Sequence, residues 1–288
     1  MTKPRYPLDQ SPLYKIGGPR KLKRTLRISN EASAAILARP DLYRNKQVRK
    51  KDGSPRDVVA PHYKLKAIQA QIRNLLSRIE VPDYLHCPVK GRSYITAARP
   101  HVGAAEIYLC DIADFFPNCT AAKVAWFFRT VLRNKPDIAG RLTSLTTMGG
   151  ALPQGSPASP HLAFFAYQDM WDELHAAILE ANCIMTVYAD DITISGDRVS
   201  GLLRHRVRQI VGRHGHRLKA EKDRTVLQRP TPTLGTIITS GGLRLPNRQH
   251  LAAHALAMQI AEMKDGPKRE KLLQSLKGRR TQAMQVVG

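Results

Sequence analysis

The chain has 288 residues and a mass of 32.1 kDa, enough for one sizeable core or two to three lobes on one chain and too little for several independent enzymes. Its 46 Lys and Arg against 23 Asp and Glu leave a net charge of +23, which suits a polyanionic partner, either nucleic acid or an anionic membrane surface. No apolar run reaches the roughly 20 residues of a membrane span, and MTKPRYPLDQ at the start is no apolar leader, so the expectation is a soluble, cytoplasmic protein with no membrane partner.

The charge is unevenly spread. Residues 1–66 hold 17 basic side chains against five acids, residues 67–197 ten against 13, and residues 198–288 19 against five. Two basic flanks around an acidic middle fit a groove that holds nucleic acid over metal-binding carboxylates better than they fit a polybasic membrane tail. Cys87, Cys110, Cys119 and Cys183 form no C-x-x-C pair, so they are expected to be packed thiols rather than a disulfide framework or a zinc site.

In chain order, the first fifty or so residues are basic and punctuated by Pro and Gly, and a polar turn at Asp52-Gly53 is expected to join two short extended pieces. Leu65, Ile68, Ile72, Leu75, Leu76 and Ile79 then recur at helical spacing. EIYLCDIADFFP, at 106–117, predicts a buried strand ending in a turn, and Thr120 is placed to cap a helix carrying Val124, Phe127, Phe128, Val131 and Leu132. A longer helix is expected after Ser156-Pro157 and Ser159-Pro160, with Leu162, Phe165, Met170, Leu174 and Ile178 inward. CIMTVYADDITISG, at 183–196, predicts two strands around a tight turn at Ala189-Asp190-Asp191. Val199, Leu202, Leu203, Val207, Ile210 and Val211 mark another helix, followed by a strand pair around 233–246 and two terminal helical segments.

Transfer of a nucleotidyl group to a hydroxyl calls for two divalent ions roughly 3.5 to 4 Å apart, and magnesium prefers hard oxygen ligands. Two adjacent aspartates on a hairpin tip, Asp190 and Asp191, with Asp111 at the end of a neighbouring strand, form such a cage. The competing reading of Asp190-Asp191 is a solvated acidic turn. Asp111 is harder to explain that way, because it closes the apolar run Ile107, Tyr108, Leu109, Cys110, where an unpaired carboxylate is costly.

Five blocks stand in the order of a reverse transcriptase palm and fingers: RDVVAPHYKL at 56–65, LCDIADFFP at 109–117, LPQGSPASP at 152–160, YADD at 188–191, and the 215–222 segment before Leu234-Gly235. From about residue 40 onward the chain resembles bacterial reverse transcriptases, and LPQG-x-P-x-SP with YADD is similar to the retron and group II intron branch rather than to retroviral enzymes. The resemblance implies an α+β right-hand polymerase fold. Its parts would be an N-terminal extension and fingers over 1–105 with part of 118–150, a palm over 106–240 built on a small antiparallel sheet backed by helices, and a short helical thumb over 241–288.

The resemblance also implies roles for single residues. Asp111, Asp190 and Asp191 would bind two Mg2+ ions, with the Ile112 carbonyl as a further ligand. Arg56, Asp114, Phe115, Phe116 and Gln154 would face the incoming deoxynucleotide, Phe116 as the gate against a ribose 2′-hydroxyl, and Phe115 equally reads as a core phenylalanine. Lys222, with Lys219 as its competitor, would stand near the pyrophosphate, and Thr233, Leu234 and Gly235 would grip the primer. Retron enzymes carry an Asn-Ala-x-x-His element for their own RNA; this chain keeps Ala98 and His101 of it without the asparagine, and has Thr-Leu-Gly where Val-Thr-Gly would stand. Implied partners are an RNA template that is a structured noncoding RNA, a DNA product, dNTPs, and an effector protein in antiphage defence. Two alternatives stay open: another bacterial reverse transcriptase, and a catalytically silent nucleic-acid-binding scaffold. The short tail after Gly278 leads us to expect neither a maturase nor a ribonuclease H domain.

Overall fold

The computed structural model describes residues 4–49 and 55–287, with the backbone alone at Asn30, Arg56, Asp57 and Val287. The expected Asp52-Gly53 turn lies outside the described residues. The chain divides into two compact units: Met1–Asp83, Ile112–Leu174 and Gln209–Arg217 form the first, and Tyr84–Asp111, His175–Arg208 and Leu218–Gly288 the second.

Two helices open the chain, α1 (Pro19–Leu26) and α2 (Asn30–Leu37), in the basic, Pro- and Gly-punctuated stretch for which the sequence had named no element. Local chemistry explains them. Pro19 occupies the first turn of α1, where its missing N–H costs nothing, and Leu22 and Leu26 bury one face; the Ser29 hydroxyl accepts from the Ala32 N–H to cap α2. Strands β1 (Tyr43–Arg49) and β2 (Pro55–Pro61) pair antiparallel, Tyr43 against Pro61 through Arg49 against Pro55. Helix α3 (Tyr63–Leu76) follows with Leu65, Ile68, Ile72 and Leu76 inward as the periodicity requires.

β3 (Leu85–Cys87), α4 (Tyr94–Ala98) and β4 (Glu106–Asp111) lead to the short α5 (Phe115–Asn118) and to α6 (Ala121–Trp126). The Lys123 N–H donates to the Thr120 hydroxyl, so the expected cap forms, and a single π-turn over Phe127–Val131 extends the helix. Helix α7 (Pro136–Thr146) went unread in the sequence, although Pro136 opens it and Ile138, Ala139, Leu142 and Leu145 line its buried face. The long helix expected after the Ser-Pro pairs is two, α8 (Ser159–Phe165) and α9 (Gln168–Glu180). The break falls at buried Tyr167, whose hydroxyl donates to the Asn118 carbonyl and accepts from the Thr120 N–H.

β5 (Ile184–Tyr188) and β6 (Asp191–Gly196) form the acidic hairpin, followed by α10 (Gly201–Arg213), β7 (Arg224–Leu227), β8 (Thr231–Thr233), β9 (Thr236–Thr239), β10 (Gly242–Arg244), α11 (Asn247–Ala261) and α12 (Pro267–Val287). In the second unit the main sheet has the order β3-β5-β6-β4-β7, and β8, β9 and β10 make a smaller sheet. The main sheet is antiparallel except at the edge strand β3, which pairs parallel with β5. Because side chains alternate along a strand, Ile107 and Leu109 of β4 share the Asp111 face. They pack with Ile95, Ala98, Ile238, Leu243, Leu245 and Val286, so the small sheet and the C-terminal helix cover that face. The expected packed thiols hold for Cys110, Cys119 and Cys183, which are buried.

Candidate active site

Strand register builds the acid cluster. β4 and β6 pair so that Asp111 stands directly opposite Asp191, and the β5–β6 pairing sets Tyr188 opposite Asp191, leaving Ala189 and Asp190 as the turn. Ala189 holds φ 60°, a left-handed backbone that costs a non-glycine residue about 1–2 kcal/mol. Like charges opposite each other across a ladder repel, so this arrangement works against folding unless cations meet it. One oxygen from each of Asp111, Asp190 and Asp191 lies within 4.8 Å of the others.

Two lysines already answer the charge. The Lys219 N–H donates to the Asp111 carbonyl at 2.8 Å, and a tight turn over Ala220–Lys222 brings Lys222 back to the same place. The Lys219 ammonium contacts Asp111 and lies 3.9 Å from Asp190; the Lys222 ammonium contacts Asp111 and lies 3.2 Å from Asp191. Asp223 anchors the turn from behind through two bonds from Arg208, at 2.7 and 3.0 Å. Each ammonium thus bridges Asp111 to one member of the hairpin pair. That donor set, three hard carboxylates already gathering two positive charges, fits divalent metal.

Burial raises the pKa of Asp190, and the Asp111 charge adds to it. Burial also lifts Asp191 to about 6, with Asp111 and Asp190 adding to the rise and Lys222 opposing it. Burial disfavours the charge on Lys222, but Asp111 and Asp191 outweigh it and hold its pKa above the usual value. Three upward shifts gathered in one cluster are the kind of perturbation that functional sites concentrate.

Beside the acids lies a cleft of about 380 Å³ lined by Asp191, Lys222, Arg224, Pro232, Thr233 and Leu234 among others. Leu234 at φ 51° and Gly235 at φ 96° make the turn between β8 and β9. The Gly235 carbonyl accepts from the Gln249 amide of α11 at 2.6 Å, and Thr233 accepts from the Thr236 hydroxyl at 3.1 Å. A leucine held in the left-handed region is unusual and is the kind of backbone strain found at ligand clamps. Thr233 and Leu234 of the segment expected to grip a primer therefore line the same cleft as Asp191.

Of the other expected site residues, Arg56, Ile112, Asp114, Phe115, Phe116 and Gln154 belong to the first unit, and Ala98 and His101 to the second. Phe115, 4% exposed, packs against Tyr167, Trp171 and His216 in the first unit, in keeping with its reading as a core phenylalanine. Its neighbour Phe116 is half-buried. Asp114 is exposed at φ 47°, with Arg217 3.8 Å away. Ile112 is fully buried. Gln154 is half-buried in a loop whose next residue, Gly155, sits so close to β2 that a Cβ would run into the Val59 carbonyl. Arg56 pairs with Val48 through its backbone, and its side chain lies outside the described residues. Ala98 and His101 are buried, 1% and 0% exposed, and present little surface of their own. Sequence reasoning missed the double role of Lys219 and Lys222. Their three-residue spacing was the available signal, since a tight turn returns both side chains to one point.

Comparison with known proteins agrees with this geometry. The reverse transcriptase (RNA-dependent DNA polymerase) family profile matches residues 48–238. The chain belongs to the reverse transcriptase family. Within it, the chain is 27% identical over 197 residues to the retron Se72 reverse transcriptase of Salmonella heidelberg, covering 66% of this chain and 52% of the relative. It is 31% identical over 189 residues to the retron Ec86 reverse transcriptase of Escherichia coli, covering 64% and 59%, and 32% identical over 233 residues to the retron Mx65 reverse transcriptase of Myxococcus xanthus, covering 72% and 53%. Each of these relatives is a retron reverse transcriptase, so the similarity is to enzymes of retron type. The chain spans about half the length of these curated relatives. Among the described residues no helix is long and apolar enough to cross a membrane.

Proposed function

We propose that the chain is an RNA-directed DNA polymerase that extends a primer on an RNA template with dNTPs. The observation that carries this reading is the convergence of Asp111, Asp190 and Asp191 in a family-matched sheet. Two Mg2+ ions held by these carboxylates, with the Ile112 carbonyl as a further ligand, would activate the primer hydroxyl and steady the leaving pyrophosphate. The protein's own part is placement. Strand register holds Asp111 and Asp191 opposite each other, and the Ala189-Asp190 turn brings in the third acid. Lys222, with Lys219 beside it, has a long stem that can turn an ammonium from the acids toward pyrophosphate oxygens. Thr233, Leu234 and Gly235 hold the primer strand in the cleft beside Asp191. In the same reading Arg56, Asp114 and Gln154 serve the incoming nucleotide, and Phe116 selects against a ribose 2′-hydroxyl.

The assignment of fingers to 1–105 with part of 118–150, palm to 106–240 and thumb to 241–288 belongs to the same proposal. So does the retron extension of it: a cytoplasmic enzyme that copies part of a structured noncoding RNA from a 2′-hydroxyl, yields a branched RNA and DNA molecule, and acts with an effector protein in antiphage defence. Sequencing of the nucleic acid that copurifies tests that extension. A branched species supports it, and generic RNA fragments speak against it.

Primer extension on an RNA template with Mg2+ tests the core proposal. Metal-held charge stabilisation is worth several kcal/mol and each 1.36 kcal/mol is tenfold in rate, so Asp190→Ala is expected to lose about a thousandfold in rate while still binding RNA. A native chain that binds RNA and synthesises nothing would instead be a scaffold.

A further inference from the structure

Below the acid hairpin lies a buried polar cluster that the reaction as described does not use. His101 is fully buried, and its ring nitrogens meet the Ser195 hydroxyl at 2.7 Å and the Thr186 hydroxyl at 2.8 Å. Donor counting fixes the direction of each bond. The Thr186 hydroxyl spends its one proton on the Ala97 carbonyl, at 3.0 Å, so toward His101 it can only accept. Nε2 therefore carries the ring proton, Nδ1 accepts, and Ser195 donates to it. Burial, with His86 adding, pushes the His101 pKa down to about 3, which keeps the ring in the neutral form that this wiring requires. Every polar atom of the side chain is satisfied, and a proton donor runs in one sense from Ser195 through His101 and Thr186 to Ala97.

The two partners lie on opposite legs of the acid hairpin. Thr186 lies on β5 four residues before Asp190, and Ser195 lies on β6 four residues after Asp191. Thr186 is paired with Thr193, which shares a face of β6 with both Ser195 and Asp191 by the two-residue alternation of a strand. The ring thus spans both legs of the hairpin on the face that carries Asp191. A backbone ladder fixes register, but the twist of two strands about each other varies over tens of degrees between structures. A side-chain bridge anchored to a third segment removes that freedom, and here the third segment is the one from Ala97 to His101 at the end of α4.

We propose that His101 is a positioning residue for the acid site: through Thr186 and Ser195 it fixes the twist of the β5–β6 hairpin, and so fixes where Asp190 and Asp191 stand relative to Asp111. The proposal rests on the metal-binding reading of those acids and assigns His101 no contact with RNA, nucleotide or metal. Groups that orient metal ligands without touching the metal typically change affinity or rate by about 10- to 100-fold when removed.

His101→Ala opens a buried cavity and risks the fold, so the partners are the sharper probes. The full chain is compared with Thr186→Val, which keeps the shape and deletes the hydroxyl, with Ser195→Ala, and with Thr186→Ser, which restores the hydroxyl. Three quantities are measured: Mn2+ affinity from the free-ion signal in electron paramagnetic resonance, the thermal transition, and kcat and KM for addition of one dNTP. The expected result is about 10-fold weaker Mn2+ binding and about 10-fold lower kcat in Thr186→Val and Ser195→Ala. KM is expected to stay near native, the thermal transitions to remain cooperative and above the assay temperature, and Thr186→Ser to recover both losses. Mn2+ binding that depends on Asp190 but is untouched by Thr186→Val overturns this proposal alone, as does a Thr186→Ser variant as impaired as Thr186→Val. Mn2+ binding indifferent to Asp190→Ala overturns the metal-site reading and this proposal together.

Discussion

Two antiparallel hairpins in this chain are made of similar ladders and are held in opposite ways. In β1–β2 seven residue pairs are in register, yet the side chains of β1 beyond Tyr43 are exposed and, among the described residues, the ribbon pairs with no other strand. In β5–β6 five pairs suffice, because the hairpin sits inside a five-stranded sheet with Met185, Val187, Ile192 and Ile194 buried on one face and the His101 bridge on the other. The difference teaches that ladder length does not fix a catalytic loop. A two-stranded ribbon alone is marginal in water; the acid pair is steady because neighbouring strands and side chains leave its stem nowhere to go.

The comparison can be broken most severely at the stem. Ile194→Ala removes a fully buried side chain from β6 and is expected to cost about 2–5 kcal/mol in a urea unfolding experiment. A cost below about 1 kcal/mol would mean that the sheet does not hold the hairpin. Next comes Gly155→Ala, where the new methyl meets the Val59 carbonyl of β2. Forcing it in is expected to cost about 1–3 kcal/mol, and an unshifted melting temperature would deny the close approach.

A smaller effect separates the acid pair from its stem. Burial holds the folded Asp191 pKa at about 6, well above that of an ordinary aspartate in water. The folded chain keeps this proton more tightly than the unfolded chain does, so the stabilising contribution is present at low pH and is lost as pH rises through about 6. In EDTA the melting temperature of the native chain, relative to Asp191→Asn, should therefore fall as pH rises between about 4 and about 6. His101, His161 and His216, all pushed down by burial, destabilise both proteins alike as pH falls and cancel in the difference. With Mg2+ present the trend should reverse, since deprotonation of Asp191 then favours metal binding and metal binding favours the fold. A difference that is flat with pH in EDTA would place Asp191 in ordinary solvent. The smallest effect is expected at the exposed ribbon, where Val48→Ala, at a side chain 44% exposed, should change stability by less than about 0.5 kcal/mol.

Much of the site was readable before any coordinates. YADD between two β-rich runs predicted the hairpin, and the apolar run before Asp111 predicted the strand beside it, because a strand's composition and its turn are local properties. Helix α3 and the Thr120 cap followed from spacing and from one hydroxyl. The misses share a cause. The break between α8 and α9 depends on a bond from Tyr167 to residues 118–120, far away in sequence, and the fate of Phe115 against Phe116 depends on which ring reaches Trp171 and His216. The edge strand β3 is three residues long, too short for any periodicity to be seen.

By itself the sequence determined the chemistry on offer: three aspartates, paired lysines, a charge balance fit for a polyanion, and the strands and turns that carry them. Only the tertiary structure decided which of these groups meet. It set Asp111 opposite Asp191, brought Lys219 and Lys222 onto the same carboxylate, and buried His101 between the hydroxyls of Thr186 and Ser195. The physical reason is that strand identity is written in neighbouring residues, whereas register between distant strands and the burial of a polar side chain are settled by packing and hydrogen-bond satisfaction across the whole core.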